Sequence, residues 1–407
     1  MRPAGPRPII ANTDTLMPST APGATKPPIN WPATLMLSLT ALPVVAALPV
    51  YLWFADPTPW VWFWAGLLLA ANGMSITAGY HRLWAHRAYK AHPALKWLFA
   101  FFGGMAVQNS ILIWATNHRQ HHAHVDDDHR DPYSASRGFW YSHIGWMLRN
   151  YPGAEPDYSR ARDLLDDPIV AFQHKHYLWF AFGSNIGVVL LLGALFGDML
   201  GFVLIAGFAR LFVSHHFTFF INSLAHIWGR QPYTRTNSAR DNDFLAFLTW
   251  GEGYHNYHHI FQADYRNGIR WWQFDPTKWL IATAARLGLA SDLRRVPEFK
   301  IRRQIVSEQF ERARAALETQ PAHGRLAELR THLDEEWQQF SHTLAEWTAL
   351  RSKELDSAKQ QLRERWEASE FKRELRALER ALEEALREQQ WRMQALSRQL
   401  GRQLVAA

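Results

Sequence analysis

The chain has 407 residues, with 20 Trp, 24 Phe, 20 His and no Cys; only 20% of it is charged, and the formal net charge is +7. The lack of Cys excludes disulfides, thiolate zinc sites, iron–sulfur clusters and a thiol nucleophile. The basic residues form no single stripe, which excludes a nucleic-acid footprint, and 38 of the 81 Asp, Glu, Lys and Arg residues fall in 300–407, so an apolar, Trp-rich front leads into a charged tail.

Residues 1–31 are rich in Pro and Thr, show no signal-peptide core and predict a disordered arm. A bilayer crossing takes about 20 mostly apolar residues. Residues 32–55, 57–80 and 177–197 meet that requirement without a single Asp, Glu, Lys or Arg. A fourth stretch, 199–221, contains Arg210, His215 and His216, which should face the bundle interior. Trp53, Trp60, Trp62 and Trp64 cluster at one end of the first pair, as an aromatic belt does. The short turns at Asp56–Pro59 and Asp198 carry no Lys or Arg. The arm has Arg2, Arg7 and Lys26, and 81–150 has Arg82, Arg87, Lys90, Lys96, Arg119, Arg130, Arg137 and Arg149. The positive-inside rule then puts both termini and both long polar segments in the cytoplasm.

Histidines supply the chemistry. They gather as His81 and His86, as His118, His121 and His122, and as His255, His258 and His259, with His226 just past the last span. Positions i, i+3 and i+4 of a helix share a face, so each HxxHH group can converge. Neutral imidazole is a common ligand for iron, copper and zinc. Nine imidazoles exceed what one ion takes and suit two adjacent metals. His81 and His118 can share a site only if an even number of spans separates them. The uncharged stretch 97–117, long enough to cross, must therefore lie in the interface or against other helices; Gly103, Gly104, Gln108, Asn109 and Ser110 fit that role. The remaining histidines, among them His92, His124, His143, His174, His176, His215 and His216, read as packing, surface or supporting residues.

Thr77–Arg87, Trp114–His122, Gly138–Trp146, Asn222–His226 and Gly251–His259 together closely resemble the membrane fatty acyl desaturase family, nearest the stearoyl-CoA (Δ9) desaturases. The resemblance runs over about 32–298. It implies an all-α integral membrane fold of four transmembrane helices, with a cytoplasmic helical cap that holds the metals. It also implies two iron ions on His81, His86, His118, His121, His122, His226, His255, His258 and His259, with Asn222 at a position that holds a metal-bound water. The reaction it implies is O2-dependent formation of a cis double bond, at Δ9, in a saturated acyl chain. Gln108, Trp114 and Thr218 match the bend of the family's acyl tunnel, and Leu69 and Gly73 fall near its closed end. An unactivated methylene is beyond any acid–base side chain, which is why such chemistry needs a redox metal. Thr116-Asn117 and Arg149-Asn150 stand where animal members carry charged groups for CoA. Acyl-CoA is favoured as carrier, with acyl lipid and acyl-carrier protein left open. No cytochrome b5-like His-Pro-Gly-Gly segment occurs, so electrons must come from a separate donor such as a ferredoxin or a cytochrome b5-like protein with its reductase.

Residues 299–407 predict an amphipathic helical hairpin or coiled coil. One apolar stripe runs through Leu326, Leu329, Leu333, Trp337, Phe340, Leu344 and Trp347, a second through Leu355, Ala358, Leu362 and Trp366, and a third through Phe371, Leu375, Leu378 and Leu382. Pro321 and Gly324 separate the first helix from the rest. Self-association through this tail, a redox-partner dock and a membrane-surface role all remain open. Two other functions compete: a His-box membrane hydroxylase, which would insert oxygen, and a metal transporter, which would place ligands within the spans.

Overall fold

The computed structural model describes residues 26–318, 325–361 and 368–406. The arm over 1–25, and Leu362 and Trp366 of the second stripe, lie outside the described residues, as do the side chains of Leu326 and of 351–375. Among the described residues, four helices are long and apolar enough to cross a bilayer: Trp31–Phe54, Pro59–Ala85, Trp179–Phe196 and Met199–Ile227. The second and fourth run further than their apolar stretches. Backbone hydrogen bonding does not require an apolar side chain, so each helix carries on past the membrane-facing segment and delivers a histidine, His81 or His226, at its end.

At the opposite end the turns are short. Gly197 takes the left-handed conformation that closes the third span (φ 73°). Asp198 caps the fourth span by accepting from Gly201 N at 2.9 Å, and it also accepts from Tyr51 Oη at 3.0 Å and Thr58 N at 3.3 Å. One carboxylate thus ties three helix ends together. Trp53, Phe54, Trp60 and Trp62 are exposed around it, as an interfacial belt requires.

The uncharged stretch 97–117 does not form one span. It is split into helices Pro93–Met105 and Ile111–His124 by a turn in which Val107 (φ 55°) and Asn109 (φ 75°) are left-handed. Ser110 caps the second helix. The halves bury Leu95, Phe99, Ile111 and Leu112 against Ile76, Tyr80 and Trp84 at the end of the second span. This burial against protein accounts for the missing crossing.

Beyond the spans, a dome is built from the helices Asp243–Leu248, His255–Ile260 and Pro276–Arg286 and from a two-residue antiparallel pairing of Lys90–Ala91 with Ala290–Ser291. Among the described residues the tail holds three helices, Glu298–Glu318, Arg325–Gln361 and Ala368–Ala406. Phe299, Val306 and Phe310 of the first join Leu329, Leu333 and Phe340 of the second and Leu386 and Met393 of the third in one core. The expected hairpin therefore gains a third partner. Leu378 is exposed instead of buried. Gln389 donates to Glu336 O, so the antiparallel register brings Leu378 level with the start of the short first helix, where the third wall of the bundle ends.

Candidate metal and acyl-chain site

Four segments deliver the nine histidines. His81 lies in a wide, π-helical turn over Ser75–Ala85, and His86 caps its end. Such turns are rare and cluster at functional sites. Residues 118, 121 and 122 sit on the buried face of Ile111–His124, His226 on the last turn of the fourth span, and the third box on His255–Ile260. Their ligand atoms fall into two groups. His81, His86, His118, His122 and His258 form one, and His121, His226, His255 and His259 the other; within each, the atoms lie within 4.8 Å of one another.

The ring nitrogens that meet are all Nε2: His81 to His258 at 3.0 Å, His86 to His118 at 2.9 Å, His122 to His258 at 2.9 Å, His226 to His255 at 3.1 Å and His255 to His259 at 3.1 Å. Several opposite Nδ1 atoms are committed elsewhere. His81 Nδ1 faces Glu252 at 2.9 Å and His121 Nδ1 faces Asp131 at 2.9 Å. His226 Nδ1 donates to Ser238 Oγ at 2.7 Å, because that hydroxyl donates in turn to Asp126. A neutral ring whose Nδ1 carries the proton has a bare lone pair on Nε2. Lone pairs from three and more rings aimed at one point repel unless a cation occupies it. The donor set therefore fits two metal ions, one per group. Burial first, and the neighbouring imidazoles second, hold His86, His118, His122, His255, His258 and His259 well below the ordinary histidine range, which keeps these rings in the ligand form.

Around the ligands lies a charged support. Arg82, wholly buried, donates to Glu252 Oε1 at 2.9 Å, to Asp275 Oδ2 at 3.1 Å and to Tyr265 O at 2.8 Å. Asn267 Nδ2 donates to the other Glu252 oxygen at 2.7 Å. Burial opposes ionisation of Glu252, but His81 and Arg82 beside it bring its carboxyl down to about 2. The flanking glycines are required by geometry. Gly251 is left-handed at φ 103°, and a Cβ on Gly253 would stand 2.1 Å from Ala246 N.

A cavity lies between the second and fourth spans, with Thr77 on its wall four residues before His81. Leu69, Gly73, Ile76, Thr77, Phe217, Thr218 and Trp250 are among its lining residues. Three of the five residues expected at an acyl tunnel thus share one wall system. Of the other two, Gln108 donates to Thr218 Oγ1 at 2.9 Å. Trp114 stands among the histidines, stacked on His118 with centroids 5.0 Å apart and edge-on to His81 at 6.0 Å. Asn222, half-buried, ends the fourth span's main helix one turn before His226. Arg149 donates to Pro27 O at 2.6 Å and so is engaged with the chain's own N-terminal segment.

Sequence reasoning passed over Glu252, Asp126, Asp131, Ser238 and Trp250. The acidic run after the second box carried a usable signal, since ligating histidines generally need an acceptor for their second nitrogen. Ser238, in a loop far from any box, carried none.

A family model described as fatty acid desaturase matches residues 57–291. The chain is 43% identical over 282 residues to the "Probable acyl-CoA desaturase" of Schizosaccharomyces pombe, a match covering 69% of this chain and 58% of that protein. It is 45% identical over 245 residues to Acyl-CoA desaturase 1 of Saccharomyces cerevisiae, covering 59% and 47% respectively. With Stearoyl-CoA desaturase 5 of Bos taurus the identity is 38% over 275 residues, covering 66% and 80%. The matched region thus spans about half the length of the two yeast proteins and four fifths of the bovine one.

Proposed function

The chain belongs to the fatty acid desaturase family, and from that premise we propose that it is a membrane oxidoreductase that introduces a cis double bond, at Δ9, into a saturated fatty acyl chain. The observation that carries the reading is the sorting of nine histidines into groups of five and four with converging ligand atoms. Overall, a CH2–CH2 unit, O2, two electrons and two protons give CH=CH and two waters. A pair of irons, when bound, supplies the oxidising power that takes hydrogen from an unactivated methylene.

The protein's own contribution is ligation, orientation and exclusion. Glu252, Asp131 and the Ser238–Asp126 pair fix the tautomers of His81, His121 and His226 and aim their Nε2 atoms inward. Asn222 offers its amide to a water at the centre. The cavity between the second and fourth spans takes the far part of the acyl chain, keeping it dry and at a fixed depth. Gln108 and Thr218 latch its wall, while Trp114 screens His118 from the chain. Acyl-CoA is the favoured substrate, a reading supported by the printed names of the relatives. The electron donor is a separate protein of ferredoxin or cytochrome b5 type. The charge asymmetry of the loops supports a metal site and termini on the cytoplasmic side.

The test is gas chromatography–mass spectrometry of total fatty acids from an aerobic host making the chain, beside a His258→Ala variant at equal level. A new cis-monoene made only by the parent chain is expected. A hydroxylated product in its place would move the protein to the hydroxylases and end the desaturase reading.

A further inference from the structure

Arg210 is the one guanidinium in the fourth span, and it is buried deep in the helix bundle. Among the described residues no carboxylate pairs with it; the acceptors around it are neutral. Nε donates to Ala206 O at 3.0 Å, one terminal nitrogen to Asn72 Oδ1 on the second span at 2.8 Å and to Met105 O at 3.4 Å, and the other to Asn185 Oδ1 on the third. The two amides pass the constraint on. Asn72 Nδ2 donates to Phe102 O at 2.7 Å and Asn185 Nδ2 to Met105 O at 2.9 Å. One turn along, His215 Nε2 donates to Ala106 O at 2.9 Å. A charge held this way inside a membrane protein is costly and calls for a reason.

Four of these bonds, from Asn72, Asn185, Arg210 and His215, end on the last turn of Pro93–Met105 and the residue after it, just ahead of the left-handed Val107 and Asn109. A β-branched residue at φ 55° is a genuine outlier, held only where its surroundings over-determine the backbone. The strained turn carries Gln108, which donates to Thr218 on the cavity wall. Arg210's planar fork thus fixes a wall of the cavity from a distance, touching neither cavity nor metal ligands.

We propose that Arg210 is a positioning residue that holds the Met105–Ser110 turn and, through Gln108 and Thr218, sets the depth at which the acyl chain stops beneath the metal centre, and with it the carbon that is oxidised. This rests on the desaturase reading above. Lys cannot reproduce the fork, so Arg210→Lys loosens the turn while keeping the charge. Asn185→Ser removes one arm only and guards against a folding failure of the first variant.

The experiment expresses the parent chain and both variants, measures iron per purified chain, and maps double-bond positions in the monoenes by mass spectrometry of derivatised products. The expected result is parental iron content with isomers at neighbouring positions raised at least about five-fold, more in Arg210→Lys than in Asn185→Ser, as an ångström-scale misplacement at a reacting centre should give. Parental positional purity in both iron-loaded variants overturns the inference and leaves the desaturase reading intact. Loss of iron and product together in both variants reduces Arg210 to a folding residue and overturns it too. A parent chain with full iron and no monoene ends the desaturase reading and this inference with it.

Discussion

A guanidinium without access to water is tolerable at Arg82 because two carboxylates and a carbonyl surround it, and the same Glu252 that neutralises it also orients His81. Removing the cation leaves Glu252 and Asp275 buried and uncompensated. Arg82→Met should therefore cost about 3–5 kcal/mol of stability, seen as a lowered thermal midpoint in detergent, and should release iron with it. Ser238→Ala is subtler: the protein should stay folded while iron affinity at the His121–His226–His255–His259 group falls about 10–100-fold. Titration of the apoprotein with Fe2+ would show one weakened site beside one of parental strength; two equal sites would exclude Ser238 from that role. The nine histidines that could hold metal are legible in the sequence because helical spacing makes HxxHH converge, and a span's end can hand over His226. Glu252 is harder to read because its neighbours Arg82, Asn267 and Asp275 are adjacent only after folding.

Among elements, the spans are the most legible, since bilayer thickness demands an apolar run of known length. Their ends are not, because the helices of His81 and His226 continue into the dome at no cost to the backbone. The broken stretch 97–117 could be inferred from the parity of crossings, but its turn could not, as left-handed Val107 contradicts local preference. The contact between elements at Gly73 has a measurable outcome. A Cβ there would stand 1.9 Å from Trp250 Nε1, so the second span approaches the indole without a side chain of its own. If the cavity receives the acyl tail, Trp250→Ala should favour longer substrates and Gly73→Val shorter ones. A methylene fitted or excluded is worth about 1–3 kcal/mol, so competition between chains two carbons apart should shift at least ten-fold. Unchanged chain-length ratios in both variants would remove these residues from the tunnel.

At the scale of the molecule, the tail is part of the site's support. Its first helix packs Ile301 and Ile305 against Tyr233 and Tyr257, and Tyr257 stands in sequence between His255 and His258 of the third histidine box. Gln304 donates to Tyr233 O at 2.7 Å, and Glu308 pairs with Arg235 at 2.8 Å. Ile301→Ala should cost about 2–5 kcal/mol and speed iron loss on dilution into chelator. The stripes of the tail were readable as heptads, but their docking on the third box was not, since Ile301 and Ile305 belong to no stripe. Acid should act on the whole structure. The buried imidazoles stay neutral when folded, whereas unfolded histidine takes a proton near its ordinary value. The unfolded state therefore binds more protons as pH falls below about 6.5, and stability and iron retention should decline together from there downward, as a pH series of thermal melts would record. The division of ligands along the chain has a last consequence, for biogenesis. The group of five needs His258, and the group of four needs His255 and His259. All three follow the fourth span in the sequence. Neither group is complete until residue 258 or 259 has been made, so a metal can fill either one only after all four apolar helices have been synthesised.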